Sequence, residues 1–292
     1  MAKRKNIKKV KIGIIGGSGI YQIDGIQNLE RITLNTPFGK PSDSIMIGEL
    51  GGVRVAFLPR HGRGHVIMPS EINYRANIYA FKMLGIEKII SISACGSLKE
   101  EIHPTDMVFP DQLYDRTKGR VSTFFGNGIV GHVSFADPFC NAVAEKIQSE
   151  ARNLGFSTVR GGTYVCIEGP AFSTRAESNV YRQLGFSIIG MTNLNEAKLA
   201  REAETCYTTI ALVTDYDCWK VDDDVDVSKV LEYLRANVDN VKKLLKEVIP
   251  KLKSKQECSC SKALKYAVMT NPRFANKNTK KKLAIFLDKY WK

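Results

Sequence analysis

Short apolar runs rich in β-branched residues alternate with amphipathic segments from residue 10 to residue 250. Such runs are typical of buried strands. We predict strands over 10–15, 42–50, 53–58, 88–92, 163–167, 186–189 and 206–213. A Gly-Gly pair between the second and third runs predicts a hairpin. Repeated strand-then-helix order predicts a single α/β domain whose mixed, largely parallel central sheet is flanked by helices.

The segments between these strands carry apolar residues at steps of three and four, which predicts helices on the faces of the sheet. Ser70 is the expected N-cap of one helix, and Gly85 is its expected end. Asp137, followed by Pro, predicts the start of another helix. A longer pattern over 231–248 predicts a final helix that ends at Pro250.

The formal net charge of +13 is concentrated at the two ends of the chain. Residues 1–11 hold six Lys/Arg and no acid, and residues 251–292 hold twelve against two acids, so the body carries −3. We divide the chain into a basic amino-terminal arm (1–9), a central domain (10–250) and a basic, Cys-containing C-terminal extension (251–292). Basic ends are usually solvated, and a mildly acidic body argues against nucleic-acid binding as the main activity.

No apolar run approaches the ~20 residues that span a membrane, so we expect no membrane partner. The basic amino terminus leads into a predicted strand rather than a signal-peptide segment, so we expect a cytoplasmic protein.

The seven cysteines do not form a secreted disulfide pattern in a chain of this length. Cys95, Cys166 and Cys206 lie in or beside apolar runs and are expected in the core. Cys258-Ser-Cys260 is a redox pair or half of a metal site. No Cys/His set with zinc spacing accompanies this pair, so we expect no metal.

Six predicted strands are followed by segments rich in Gly, Ser/Thr or charge. The carboxyl ends of parallel strands meet at one edge of a sheet, so these segments are expected to form one small-molecule cleft. The segments are 16–19, 60–65, 93–97, 168–173, 190–193 and 214–217.

Several of these segments offer groups that bind an oxyanion. Gly16-Gly-Ser-Gly19 exposes backbone amides, although a plain tight turn explains it equally well. Arg60 provides a fork that matches phosphate, and Ser93 and Thr192 add hydroxyls. Because no Asp/Glu cluster accompanies them to hold magnesium, the set predicts a site for free phosphate.

The other segments offer groups that bind a heterocycle. Phe172 can stack on a planar ring, although a lone Phe more often packs in the core. Asp215 and Asp217 follow a buried strand, where a turn or a helix cap is an equally good reading. As part of the cleft, they can accept from an amino group, and one can supply a proton. A phosphate site, an aromatic ring that can stack on a base and a carboxylic acid together predict a nucleoside phosphorylase.

The residues of these motifs closely resemble the 5′-methylthioadenosine phosphorylase branch of the trimeric purine nucleoside phosphorylase family. The similarity extends from about residue 10 to residue 250. Its most specific segments include Leu58-Pro-Arg-His-Gly-Arg-Gly-His65, Gly190-Met-Thr192 and Val213-Thr-Asp-Tyr-Asp-Cys-Trp219.

The resemblance implies an enzyme, a pentosyltransferase that uses inorganic phosphate as co-substrate and needs no cofactor. It implies cleavage with inversion to adenine and 5-methylthioribose 1-phosphate, and a homotrimer or a dimer of trimers. By the same likeness, phosphate contacts Ser18, Arg60, His61, Ser93, Ala94 and Thr192. The implied nucleoside contacts are Met191 under the ribose, Phe172 and Ser173 in the base pocket, Asp215, Tyr216 and Asp217 at the adenine edge, Val227 and Leu231 around the methylthio group, and His132 reaching a neighbouring subunit's site. Asp215 is the predicted catalytic acid.

An Asp at position 215 accepts from a 6-amino group, whereas an Asn would suit a 6-oxopurine. The chain departs from the branch at Ala171, where Arg is usual, and at Asn195, where Pro is usual, so the purine preference is less secure than the reaction. Cys140–Cys206 and Cys258–Cys260 disulfides are similar to features of hyperthermophilic archaeal members.

Three other functions are consistent with parts of the sequence. A broad-specificity purine nucleoside phosphorylase acting on adenosine, inosine or guanosine is the nearest alternative. A nucleic-acid-binding protein would work through the basic ends. A non-catalytic nucleoside sensor would not need the complete phosphate set.

Overall fold

The computed structural model describes residues 10–17, 23–220, 227–252 and 257–291, with side chains omitted for 227–229. The described residues form eleven strands and six α-helices. The strands are β1 (Ile12–Gly16), β2 (Gln27–Ile32), β3 (Ile45–Leu50), β4 (Val53–Pro59), β5 (Lys88–Ser97), β6 (Met107–Phe109), β7 (Gln112–Arg116), β8 (Thr158–Arg160), β9 (Thr163–Ile167), β10 (Ile188–Gly190) and β11 (Cys206–Asp215). The helices are α1 (Tyr74–Leu84), α2 (Asn141–Asn153), α3 (Arg175–Gln183), α4 (Asn193–Glu202), α5 (Val227–Val248) and α6 (Lys277–Leu287).

The described strands form one mixed sheet, which confirms the predicted fold class. β1 lies between β4 and β5 and is parallel to both, and β11 is parallel to β5 on its other side. β3 and β4 form the predicted antiparallel hairpin. β2, which the hydrophobic pattern did not reveal, pairs with β3 at the edge, where five of its six residues are exposed.

Helices cover both faces of this sheet. Successive side chains of β1 point to opposite faces and therefore pack under different helices. Ile15 packs in the core under α1 and α4, whereas Ile14 packs in the core under α2 and α5. β1 is buried along its whole length because both of its faces are covered.

One premise about the cleft is wrong, because β9 and β10 do not run parallel to β5. β10 is antiparallel to β5, with Ile189 opposite Gly96, and it is parallel to β9. The segments after β4, β10 and β11 still meet around the end of β5. They do so because β5 continues as a strand to Ser97 and pairs there with β10 and β11. Residues 93–97 are therefore the end of β5 rather than a loop after it.

Two predicted helix starts are displaced. The side chain of Asn73, not Ser70, caps α1 by accepting from the backbone N–H of Ala76 at 3.1 Å, and Gly85 ends the helix as predicted. α2 begins at Asn141 rather than after Asp137. In both cases an extra irregular turn separates the expected cap from the first helical residue.

Residues 257–291, called here the C-terminal segment, pack against the domain. Leu264, Leu283 and Phe286 are buried in the same core as α1, and the Phe286 ring meets Tyr79 edge-on at 5.4 Å. Glu204 accepts from the Leu264 backbone N–H at 3.0 Å and also binds Lys289 and Tyr290. Buried apolar contacts and a carboxylate anchor therefore hold this segment in place.

Within the described ranges, no helix combines the length and the apolar character needed to cross a lipid bilayer.

Candidate active site

The centre of the site is the end of the paired strands β5 and β11. Ser93, Ala94 and Cys95 lie opposite Ala211, Leu212 and Val213. The register then shifts, so that Asp215 lies opposite Gly96 and Thr214 is an extra residue. Such a bulge turns the following side chain relative to a regular strand. Asp215 is thereby placed over Gly96.

Asp215 is held by its neighbours and lies close to the backbone of β5. Its Oδ2 accepts from the Thr214 hydroxyl at 2.7 Å, and its Oδ1 accepts from the backbone N–H of Asp217 at 2.8 Å. A Cβ at position 96 would lie 2.7 Å from Oδ1, so only glycine fits there beside the carboxylate. The side chain of Asp215 is half-buried, so a molecule in the cleft can reach it.

Asp217 differs from Asp215 in its burial and in its backbone. It has a φ of 52°, is 4% exposed, and its Oδ2 has no hydrogen-bond partner among the described residues. Burial raises the pKa of Asp217 to about 6, and the charge of nearby Asp215 adds to the effect. Asp217 therefore holds a proton more tightly in the folded chain than in the unfolded chain.

This shift predicts a dependence of stability on pH. Because the pKa of Asp217 rises from 3.8 to about 6 on folding, its contribution is complete below about pH 4 and is lost as the pH rises through about 6. We expect Asp217→Asn to remove about 1–3 kcal/mol of the change in unfolding free energy between pH 4 and pH 7. Urea denaturation at each pH measures the free energy of unfolding. Asp239→Asn, on the exposed face of α5, serves as the control. Equal pH profiles for wild type and Asp217→Asn would contradict the assignment.

Arg60 follows β4 and is only 2% exposed. Its Nε and Nη2 donate to the carboxylate of Glu196, the latter at 3.1 Å, and Nη2 also donates to the Ser91 hydroxyl at 2.6 Å. Nη1 donates to the Ile92 carbonyl at 2.9 Å. Burial opposes the positive charge, but the ion pair with Glu196 raises the pKa of Arg60 above its usual value.

The prediction that Arg60 binds phosphate through two N–H groups of its fork is therefore wrong. A buried guanidinium needs a carboxylate partner, and Glu196 occupies the fork. One N–H of Nη1 is left without a partner in the described part of the chain. Glu196, which the sequence reasoning did not single out, also accepts from Ser91 and Tyr207, each at 2.9 Å. Its position among the apolar residues Leu194, Ala197 and Leu199 was the available signal.

His61 lies next to Arg60 and is neutral. Burial and the charge of Arg60 lower the pKa of His61 to about 4. Its Nδ1 is 2.8 Å from the Ile67 carbonyl, which can only accept, so Nδ1 carries the hydrogen and Nε2 is an acceptor. The ring stacks on His65 with centroids 4.2 Å apart.

The remaining phosphate candidates lie near Arg60. Ser93 is mostly buried, its hydroxyl donates to the Ala94 carbonyl at 3.2 Å, and Ala94 is exposed. Thr192 is the residue before α4, and its hydroxyl donates to the Asn193 side chain at 3.3 Å. Asn193 in turn donates to Thr209 on β11, which ties the start of α4 to the sheet.

Arg120 is a second residue that the sequence reasoning missed. Its guanidinium pairs with Glu168 at 3.0 Å and donates to the Met191 carbonyl at 2.6 Å and the Tyr74 hydroxyl at 3.3 Å. It thereby fixes the segments after β9 and β10 relative to each other. Gly169, with a φ of +68°, is needed there because a Cβ would lie 2.5 Å from the Met191 sulfur. Nothing in the polar segment around Arg120 indicates this role.

The base-pocket candidates lie on the segment after β9. Phe172 is 59% exposed, so the core-packing alternative does not apply to it. Ser173 is linked to the segment after β11, because the Cys218 thiol donates to its carbonyl at 3.1 Å. Trp219 closes the same region, donating from Nε1 to the Ser97 carbonyl at 2.8 Å.

The structure does not gather every predicted residue at this edge. Ser18 lies outside the described residues, as does the side chain of Val227. Leu231 on α5 is 48% exposed. The ring of Tyr216 is buried against Trp219, with centroids 5.7 Å apart, so it packs rather than lines the cleft. His132 is exposed beside the C-terminal segment, where its backbone N–H donates to the Ala267 carbonyl at 2.8 Å.

The chain is similar in sequence to known proteins. The model of the phosphorylase superfamily matches residues 11–250. S-methyl-5′-thioadenosine phosphorylase of Koribacter versatilis is 52% identical over 284 residues, which cover 97% of this chain and 97% of that protein.

Solved structures are similar over the same extent. A methylthioadenosine phosphorylase sourced from an Antarctic soil metagenomic library superposes with a TM-score of 0.90 at 49% identity, covering 96% of this chain and 99% of the other. A mutant adenosine/methylthioadenosine phosphorylase from Schistosoma mansoni, in complex with adenine, superposes with a TM-score of 0.81 at 37% identity, covering 96% and 98%.

Proposed function

This chain belongs to the phosphorylase superfamily, and we propose that it cleaves 5′-methylthioadenosine with inorganic phosphate to adenine and 5-methylthioribose 1-phosphate. It is a pentosyltransferase. Relatives that are 51–52% identical over nearly the full chain are named S-methyl-5′-thioadenosine phosphorylase. We propose that the reaction uses inorganic phosphate as co-substrate and no cofactor.

The observation that carries the proposal is the spacing of the two chemical halves along β5. Ala94 belongs to the proposed phosphate half, and Gly96 lies under Asp215 of the proposed base half. Gly96 lies two positions after Ala94 along the strand, a distance of about 7 Å. That span accommodates a ribose carbon with phosphate on one side and a purine on the other.

The phosphate half would bind through one charge and several neutral groups. Arg60 supplies positive charge and its remaining Nη1 N–H. The hydroxyls of Ser93 and Thr192 would turn from their present acceptors to donate to phosphate, beside the exposed residue Ala94. Because His61 Nε2 is an acceptor, we expect it to accept from a phosphate hydroxyl rather than donate. Ser18 joins this set by resemblance alone.

The base half would stabilise the leaving purine. As the bond from the ribose carbon to the purine breaks, the base gains negative charge. Asp215, which takes up a proton from solvent before this step, delivers it to the imidazole nitrogen of the base and is left as a carboxylate. A phosphate oxygen then bonds to the ribose carbon on the opposite face, which inverts its configuration. Phosphate also stabilises the positive charge that develops on the sugar.

Asp215 is the better candidate for the catalytic residue, because its carboxylate is accessible whereas Asp217 Oδ2 is buried. Asp217 would act as a positioning residue, since its backbone N–H holds Asp215 Oδ1. The exposed ring of Phe172 would stack on the purine, with Ser173 beside it, and Met191 would lie under the ribose.

The proposal extends to the assembly. We place Val227 and Leu231 around the methylthio group and His132 at a neighbouring subunit's site, within a homotrimer or a dimer of trimers. The exposure of His132 and of Leu231 supports this assignment, because both side chains are available for such contacts. We place the reaction in the cytoplasm, consistent with the free thiols of the chain.

A substrate panel tests the nucleoside assignment. We expect methylthioadenosine to give the highest kcat/KM, adenosine to be weaker and inosine to be poor, because Asp215 accepts from a 6-amino group. Adenosine deserves inclusion because the Schistosoma relative is named for both substrates. Asp215→Asn should raise the ratio of inosine to adenosine turnover at least about 10-fold, and Asp239→Asn should leave it unchanged. Inosine as the best wild-type substrate would contradict the assignment.

A further inference from the structure

Four cysteines from three parts of the chain meet at the opposite end of β11 from Asp215. Cys206 begins β11, Cys140 precedes α2, and Cys258 and Cys260 belong to the C-terminal segment. Their four Sγ atoms all lie within 4.8 Å of one another. Cys206 and Asp215 are nine positions apart along the strand, about 30 Å, so this cluster is distinct from the proposed active site.

The spacing of the sulfur atoms suits a tetrahedral metal. Zinc bound by four thiolates at about 2.3 Å requires sulfur atoms about 3.8 Å apart. The Sγ atoms of Cys206 and Cys258 are 3.4 Å apart, and the others lie within the 4.8 Å limit. All seven cysteines are free in the structure, so neither the Cys140–Cys206 nor the Cys258–Cys260 disulfide suggested by the resemblance is formed in it.

Burial and nearby positive charge suit a closed metal site at this cluster. Cys140, Cys206 and Cys260 are at most 8% exposed, which keeps water away from the sulfur atoms. Cys140 is the N-cap of the 13-residue helix α2, and the positive end of a helix dipole stabilises a thiolate. A cavity of about 410 Å³ adjoins Cys206 and Cys258, and its lining includes four lysines, Lys11, Lys82, Lys88 and Lys289, against Glu87 and Glu204.

We propose that Cys140, Cys206, Cys258 and Cys260 bind one structural Zn²⁺ that joins the C-terminal segment to β11 and α2. On binding, each thiol releases its proton to solvent and the metal accepts four thiolates. The resulting negative charge lies beside the lysine-lined cavity. A four-thiolate site is closed, so the metal has a structural rather than a catalytic role.

The sequence reasoning expected no metal because it looked for ligands near one another in the chain. Cys258 and Cys260 are more than fifty residues from Cys206 and more than a hundred from Cys140. Only the packing of the C-terminal segment brings the two halves of the site together.

Metal analysis of the untagged full-length protein tests the proposal. The protein is produced in zinc-supplemented medium, gel-filtered without chelator, and measured by inductively coupled plasma mass spectrometry. We expect about one zinc per chain. Cys258→Ser and Cys260→Ser should retain less than about a tenth of it, whereas Cys218→Ser, the same change outside the cluster, should retain all of it. Cys258 is half-exposed, so its replacement is not expected to prevent folding.

A thiol count on the same samples separates zinc from disulfides. After denaturation with chelator and without reductant, we expect all seven thiols to react. Zinc removal from the wild type should speed amide exchange around Leu264 while leaving residues near Asp215 unchanged. Two disulfides without metal would overturn the proposal, as would equal zinc in Cys260→Ser and wild type. Metal content does not depend on turnover, so a failure here leaves the proposed function intact.

Discussion

We expect Asp215→Ala to lower kcat for methylthioadenosine at least about 100-fold, the lower range for loss of a general acid. The departing purine would then carry its negative charge without a proton donor. KM should change much less, because the phosphate half is untouched and Phe172 still presents its ring. A loss mainly in kcat is the signature of an interaction that forms in the transition state.

Steady-state kinetics at saturating phosphate measures this effect. Asp239→Ala serves as the matched control, being an exposed aspartate on α5. Asp217→Ala should lower kcat less than Asp215→Ala does. Asp217 positions Asp215 through its backbone N–H, and alanine retains that group. A near-normal rate for Asp215→Ala, with a large loss for Asp217→Ala, would reverse the roles of the two residues.

The largest expected effect on stability comes from Glu196→Ala. The change leaves Arg60, which is 2% exposed, as an unpaired buried charge and removes the acceptor for Ser91 and Tyr207. Breaking a buried ion pair from one side typically costs about 3–5 kcal/mol. We therefore expect the free energy of unfolding to fall by that amount.

Urea denaturation measures the loss, and two further variants define its origin. Glu87→Ala removes the exposed Lys11–Glu87 pair and should cost less than about 1 kcal/mol. The double change Arg60→Met with Glu196→Leu should recover most of the stability, because no charge remains buried. It should not recover turnover, because the proposed phosphate charge is gone. Equal losses for Glu196→Ala and Glu87→Ala would show that the pair contributes little.

The sequence predicted elements whose pattern is strong and local. The hairpin of β3 and β4, the buried strands β1, β5, β9 and β11, and the end of α1 at Gly85 were all visible in the hydrophobic pattern. It did not reveal β2, which is polar and exposed, or the three-residue strands β6 and β8, which are too short to show a period.

What the sequence could not predict depends on contacts between distant residues. The reversed direction of β10 follows from its pairing with the end of β5, which no local pattern encodes. Residues 60 and 196 form one buried ion pair, and that pair changes the expected role of Arg60. Arg120 lies in an irregular segment, yet it joins two sides of the cleft. The candidate site residues lie in short motifs that the sequence shows directly. The residues that hold them in position lie far away in the sequence and become visible only in the folded structure.

Phosphate dependence of base release tests the central claim most directly. Methylthioadenosine is incubated with the full-length protein, with and without inorganic phosphate, and free adenine and the sugar product are measured by chromatography and ³¹P NMR. We expect adenine to appear only with phosphate, in equal amounts with 5-methylthioribose 1-phosphate. Adenine release without phosphate, yielding an unphosphorylated sugar, would contradict phosphorolysis, and so would the absence of any release when phosphate is present.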